Sequence, residues 1–350
     1  METAKFPLPV RGRGRPTQEQ SERYQKELEA WCGNIKQLRS SSDFSYSSRG
    51  WCYVLEDHGL LKSQFDLVED VINDCRKNGM LPIDICSPDE SRGFSNIETI
   101  AINTTDEEAE EWVYYIENNV GHSYTPFSFW DKQEYYVQML VEKIDPRKLF
   151  EPICASFYIP IANAKGWPDI NVRAEMMERY KFWEERGKKV VLLYLGDHDP
   201  AGLHISDSYY NMLAELSKAV GWGPDNLIID RFGLNEEFIK KAKLSWIPNL
   251  ITGAKKEKGK INDLADPRHP DHDKPYVQNY IKAFGVKKVE SNAIVVAKEQ
   301  GKKLCLNAIK KYISEDTVRE YRQIISTYQN EVKNKVLIGL REHFDAEQQT

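Results

Sequence analysis

The chain has no stretch approaching 18 consecutive apolar residues, so an ordinary membrane-spanning helix is not expected. The opening run METAKFPLPVRGRGRP lacks the apolar core of a secretory signal, and a cytoplasmic protein is the expectation. The six cysteines (Cys32, Cys52, Cys75, Cys86, Cys154, Cys305) include no CxxC pair, which argues against a zinc site or a disulfide framework and for reduced, buried thiols. There is no internal repeat. No GxxxxGK[ST] run or glycine-rich ATPase loop is found, so ATP-driven work would need a separate ATPase subunit. Basic charge is also short: 48 Lys plus Arg face 54 Asp plus Glu, a net charge of −6. That counts against a protein that coats nucleic acid nonspecifically, but it leaves room for a local basic patch beside an acidic metal site.

What is present is ordinary globular composition, 41% apolar and 29% charged, in 350 residues, enough for two or three domains. Residues 1–17 read as a disordered basic tail. Its Arg13-Gly14-Arg15-Pro16 resembles the core of an AT-hook, whose arginines enter the minor groove, or is a solvated tail. Helical periodicity runs from Gln18 to about Leu38. A second helix is capped by Ser47 or Ser48 and carries Arg49, Trp51, Tyr53 and Leu55. A third spans Gln64 to Lys77, and Leu81–Ile85 reads as a short strand. Helix, turn, helix and a small β element is the pattern of a winged helix-turn-helix over 18–130, and equally of a generic three-helix domain. Residues 104–118 form an acidic helix start.

Strands then alternate with helices. Strands are expected at Tyr135–Val141, Ser156–Ile161, Lys189–Leu195 and Leu227–Phe232, with helices at Arg173–Glu185 and Ser206–Val220. This rhythm predicts an α/β, mostly parallel, Rossmann-like sheet over 131–235 with helices on both faces. Residues 236–350 form a helical C-terminal extension, with a polar, Pro-rich loop at 254–275.

Asp197 and Asp199 stand directly after the most apolar strand, where open parallel sheets place their sites. Two carboxylates in one turn suit a hard cation, Mg²⁺ with Mn²⁺ as a substitute, and Gly196 and Gly202 permit a tight backbone. Glu142 ends an earlier strand in the same way, and neighbouring strand ends bring it close to the aspartates. Three such carboxylates would raise one another's pKa without a cation. The other reading of the two aspartates is an ordinary turn. His198 between them is expected to point to solvent, the other reading being a base or a phosphate contact.

Three blocks in order carry a resemblance: Leu140-Val141-Glu142-Lys143, Gly166-Trp167-Pro168-Asp169 and Gly196-Asp197-His198-Asp199-Pro200-Ala201-Gly202. Together they resemble the Toprim domain of the topoisomerase VI A subunit and the related meiotic double-strand-break transesterase. They are similar also to bacterial and phage winged-helix–Toprim proteins. In that family an Arg-x-x-x-Tyr motif carries the nucleophile, and Arg49 and Tyr53 fall in the matching place, one helical turn apart. Gly50 and Cys52 depart from the family's usual residues. Val289-Glu290-Ser291-Asn292-Ala293 is similar to a further family block.

The resemblance implies Mg²⁺-dependent DNA strand cleavage, with Tyr53 attacking the phosphate to give a 5′-phosphotyrosyl link. Arg49 would assist, and Glu142, Asp197 and Asp199 would hold the metal. It also implies a homodimer, one tyrosine per strand, and nucleoid association is compatible with it. Arg76 and Arg92 fall in segments similar to the bacterial and phage group. Lys255 and Lys256 belong to a basic loop that either follows the DNA backbone or is simply solvated. Two other readings stay open. One is a hydrolytic Toprim nuclease in which Tyr53 is half-buried core; the other is a noncatalytic DNA-binding protein.

Overall fold

The computed structural model describes residues 5–11, 16–42, 44–87, 102–164, 170–252 and 261–347. Among these the elements run α1 (Gln18–Ser40), α2 (Ser48–Glu56), α3 (Phe65–Lys77), α4 (Thr105–Asn119), β1 (Tyr135–Val141), α5 (Ile144–Ser156), β2 (Ile161–Asn163) and α6 (Ile170–Glu184). There follow β3 (Lys189–Leu195), α7 (Pro200–Leu203), α8 (Ile205–Ala214), α9 (Ser217–Val220) and β4 (Ile228–Gly233). The chain closes with α10 (Glu236–Lys241), α11 (Pro275–Phe284), α12 (Lys298–Ile309) and α13 (Glu315–Glu347).

Two compact units emerge. One joins Met1–Pro88 to Tyr136–Ile309; the other joins Asp89–Tyr135 to Lys310–Thr350. These lines differ from the expected boundaries near 17, 130 and 235. In the second unit the ring of Phe127 meets Tyr321 and Tyr328 edge-on, and the Tyr321 hydroxyl donates to the Phe127 carbonyl, fixing the loop after α4 on α13.

The first unit is built on a four-stranded, all-parallel sheet, which makes the protein α/β. Its strand order is β2-β1-β3-β4. The chain thus moves outward from β1 to β2, then crosses back to the other side of β1 for β3 and β4. Right-handed crossovers in opposite directions send α5 to one face and α6 and α8 to the other. Trp183 of α6 stacks on Tyr136 of β1, Tyr209 of α8 leans on Tyr194 of β3, and α12 returns to pack on α5. Covered on both faces, β3 is apolar at consecutive positions, and Val190 through Leu195 are all buried.

Two expected strands are corrected. Leu81–Ile85 contains no strand; Ile83–Ile85 is a 3-10 turn, with the Ile85 amide donating to the Pro82 carbonyl. Pro82 has no N–H to offer a ladder and fixes a turn-compatible φ. The β element of a winged helix is therefore not seen among the described residues of 18–87. Ser156 ends α5 rather than opening a strand, and β2 begins only at Ile161. The apolar run there belongs to the buried end of α5 and the loop after it. The single helix expected over Ser206–Val220 is divided into α8 and α9. The Gly166–Asp169 block, which carries part of the sequence resemblance, lies outside the described residues.

Candidate active site at the carboxyl edge of the sheet

In a sheet of this order the chain leaves β1 and β3 in opposite directions, which opens a crevice between their carboxyl ends. Glu142 follows β1 and Asp197 follows β3 with one intervening glycine, so both stand at that crevice. The Glu142 amide donates to the Leu195 carbonyl at 2.9 Å, continuing the pairing of the two strands past their ends. The Asp197 amide in turn donates to Glu142 Oε2 at 2.8 Å.

Each aspartate is held by its own backbone donors. Asp197 Oδ1 accepts from the Ser291 amide at 2.7 Å and from the Ser291 hydroxyl at 2.8 Å. Asp199 caps α7, with Oδ1 accepting from the Gly202 amide at 2.6 Å. Gly202 is obligatory: a Cβ there would lie 2.2 Å from the Asp197 carbonyl oxygen. Arg231, on β4, braces the turn from below, its guanidinium donating to the carbonyls of Gly202 at 2.7 Å and Asp197 at 3.0 Å.

The electrostatics follow from this crowding. Burial, then the Glu142 carboxylate, raises the pKa of Asp197; burial, then Asp197, raises that of Asp199. Ammonium charges oppose the rise, Lys143 at Asp197, and Lys288 and then Lys143 at Asp199. Lys143 Nζ lies 3.2 Å from Glu142 Oε1 and 3.4 Å from Asp197 Oδ2. Burial would lower the pKa of Lys143, but the Asp197 and Glu142 charges outweigh it and raise it.

Among the described residues no group of three or more His, Cys, Asp or Glu side chains is arranged as it stands to hold a metal ion. The donor chemistry nevertheless fits Mg²⁺ or Mn²⁺. The oxygens of Glu142 and Asp197 that face Lys143 are hard carboxylate donors already gathered around one positive charge.

The second predicted group lies on α2. Ser47 caps this helix by accepting from the Gly50 amide. Asp145, at the start of α5, accepts from both the Ser47 amide and hydroxyl and covers Gly50 so closely that a Cβ would lie 2.9 Å from its carboxylate. That accounts for glycine at 50. Arg49 and Tyr53 share a face as expected, and both meet Glu290. Arg49 Nε donates to Glu290 Oε2 at 3.1 Å, and the Tyr53 hydroxyl donates to the same oxygen at 2.9 Å. Arg49 also reaches Asp66 at 3.3 Å and Glu69 at 3.2 Å. Tyr53 is only 1% exposed, with its ring against Phe65. Burial, then the Glu290 charge, holds its phenol well above the usual tyrosine range.

Glu290 adjoins Ser291, so one dipeptide joins the Arg49–Tyr53 pair to Asp197. The sequence resemblance includes Glu290 and Lys143 without giving either a role, and Asp145 and Arg231 have no place in it. The signal for Lys143 was its place directly after Glu142; nothing local marks the others. His198 is corrected: it is 1% exposed, not solvent-facing. Its ring sits among Trp246, Tyr280 and Phe284, and its Nδ1 lies 3.0 Å from the Tyr280 hydroxyl. Burial, then Arg231, pushes its pKa down to about 4.

Arg76 spends its guanidinium on the Ile83 carbonyl, at 3.0 and 2.7 Å, and on Asn73 at 3.1 Å. Arg13, Arg15, Arg92, Lys255 and Lys256 lie outside the described residues. No described helix is long and apolar enough to cross a membrane. Comparison with family models, with curated proteins and with solved structures finds no match to this chain.

Proposed function

We propose that this protein cuts the DNA backbone at the Glu142–Asp197–Asp199 cluster with the help of a divalent cation, Mg²⁺ or Mn²⁺, and that the attacking group is water. The observation that carries this reading is the meeting of the Glu142 and Asp197 carboxylates at the crevice between β1 and β3, with a positive charge already drawn between them. On this reading the sheet is a Toprim domain and α1–α3 are the helical core of a winged-helix module, as the sequence resemblance implies. Glu142 and Asp197 hold the cation; Asp199, fixed by the Gly202 amide, orients its second oxygen from the same turn. Arg231 and Ser291 keep the turn rigid. When bound, such a cation supplies Lewis-acid stabilisation to the phosphate and the departing 3′ oxygen.

Water is favoured over Tyr53 because the phenol is buried, its proton is committed to Glu290 and its pKa is raised. A second reading, transesterification by Tyr53 to a 5′-phosphotyrosyl product, is favoured by one observation. Arg49 and Tyr53 meet on Glu290, whose neighbour Ser291 holds Asp197. A homodimer cutting both strands, with any ATP-driven step left to a separate ATPase subunit, belongs to that second reading.

The test is incubation with supercoiled plasmid and Mg²⁺ or Mn²⁺, followed by a search for protein joined covalently to 5′ ends. Nicking or linearisation that survives in Tyr53→Phe, leaves no protein on the ends and is lost in Asp197→Ala supports hydrolysis. Loss in Tyr53→Phe with covalent ends in the wild type selects the second reading. No cleavage with either metal overturns both.

A further inference from the structure

The carboxylate cluster contains its own counter-ion. Lys143 follows Glu142 directly at the start of α5, and its Nζ sits within 3.4 Å of both Glu142 Oε1 and Asp197 Oδ2. The other oxygen of each carboxylate is already committed: Glu142 Oε2 to the Asp197 amide, Asp197 Oδ1 to the Ser291 amide and hydroxyl. The two oxygens facing Lys143 are thus the ones left to accept a cation. An ammonium and a divalent ion cannot both lie between them, since like charges at such separations repel strongly in a partly buried site. The lysine side chain is 35% exposed, so it has a way out along a flexible four-carbon stem.

From this geometry we propose that Lys143 is a displaceable occupant of the cation site. It bridges Glu142 and Asp197 in the metal-free chain and leaves when a divalent cation binds. Its ammonium is then presented at the mouth of the crevice, where it serves as a positioning residue for a phosphate oxygen. Lysine, a compact point charge, suits this double use better than arginine, whose planar fork would make a directional pair with a single carboxylate. The inference rests on the proposed cation-dependent reading of the same site.

The test uses the full chain and Mn²⁺, with affinity measured by calorimetry and by the paramagnetic signal of the free ion. Lys143→Met removes the competitor while keeping the apolar stem, and should bind Mn²⁺ about tenfold or more tightly than wild type. Lys143→Arg keeps the charge and should stay near the wild-type affinity. Amine-directed reductive methylation read by mass spectrometry gives a second measure: Lys143 should be slow to react in the metal-free protein and faster with Mn²⁺. Circular dichroism confirms that each variant is folded.

Wild-type binding that Asp197→Asn abolishes, with Lys143→Met no tighter and the methylation rate unmoved by Mn²⁺, overturns the displacement proposal alone. Binding in Lys143→Met but none in wild type supports the competition. No binding in either overturns both this proposal and the cation-dependent reading beneath it.

Discussion

Two carboxylate groups, both in the first compact unit and joined by the Glu290–Ser291 dipeptide, make opposite use of charge. At the strand ends, Lys143 pairs with Glu142 and Asp197 while Lys288 and then Lys143 oppose the charge of Asp199, yet the pKa values of both aspartates are raised, by burial first and then by a neighbouring carboxylate. On α2, Glu290 faces the Arg49 guanidinium, the Tyr53 hydroxyl and, at 3.9 Å, Lys288. Burial would raise the pKa of Glu290, but Arg49 outweighs it and holds the carboxyl below its usual range. In the first group, burial and the neighbouring carboxylates outweigh the cations around them, Lys143, Lys288 and Arg231. The second is already satisfied. Acidic side chains alone do not distinguish a site from a strut; whether their cationic partners outweigh burial does.

The largest expected break in this comparison is Asp197→Asn. Mn²⁺ affinity should fall about 100-fold or more, measured by calorimetry, with plasmid cleavage lost alongside. The sign of its effect on stability is the sharper test. A carboxyl whose folded pKa is raised contributes stability below its unfolded pKa and loses it as pH rises through the folded value. The charged form of Asp197 is therefore a cost at pH 8 without metal, and Asp197→Asn should unfold in urea no more easily than wild type there.

Arg49→Met should do the reverse. It leaves Glu290 partly buried without its main partner, so we expect about 3 kcal/mol of lost stability in urea unfolding. Metal-site affinity should move far less than stability does.

Glu290→Gln comes next, at about 1–2 kcal/mol near neutral pH. Because the folded pKa of Glu290 is depressed, its contribution is present above the unfolded value of 4.5 and is lost as pH falls through the folded one. The gap between wild type and Glu290→Gln should therefore shrink in unfolding curves taken below pH 4.5. A gap that widened on acidification would contradict the charge assignment.

The smallest effect is expected for Tyr53→Phe. It removes one hydrogen bond to Glu290 and leaves the ring packing on Phe65 intact, about 1 kcal/mol.

The parts of this molecule that were legible in its sequence were those set by local pattern. β1 and β3 stand at the expected residues because strands covered on both faces read as nearly continuous apolar runs, broken in β1 only by Gln138. Ser47 was among the two named caps because few residue types can accept an amide there. The acidic turn and Glu142 were found because strand ends of a parallel sheet are where such residues gather.

What escaped was decided by partners far along the chain. Leu81–Ile85 has strand composition but Pro82 and no neighbouring strand to pair with among the described residues. Gly50 looked like a departure from a family pattern until Asp145, 95 residues on, was found above it. His198 sits in a polar turn, yet Trp246, Tyr280 and Phe284 enclose it. Lys143 carried a local signal, its adjacency to Glu142, but its role needs the Asp197 side chain from another strand.

One small feature has a kinetic meaning. The His198 amide donates to the Val289 carbonyl, and the Val289 amide donates back, at 2.8 and 3.1 Å. This reciprocal pair closes an antiparallel bridge between the acidic turn and a segment 91 residues later. Neither amide can meet solvent without breaking the pairing that the other also uses. Their hydrogen exchange should accordingly proceed through one shared opening, with a common rate that slows once a ligand holds the turn in place. The acidic turn is thus clamped by a reversible non-local pair of hydrogen bonds, and the opening rate of that pair limits how fast the turn can rearrange.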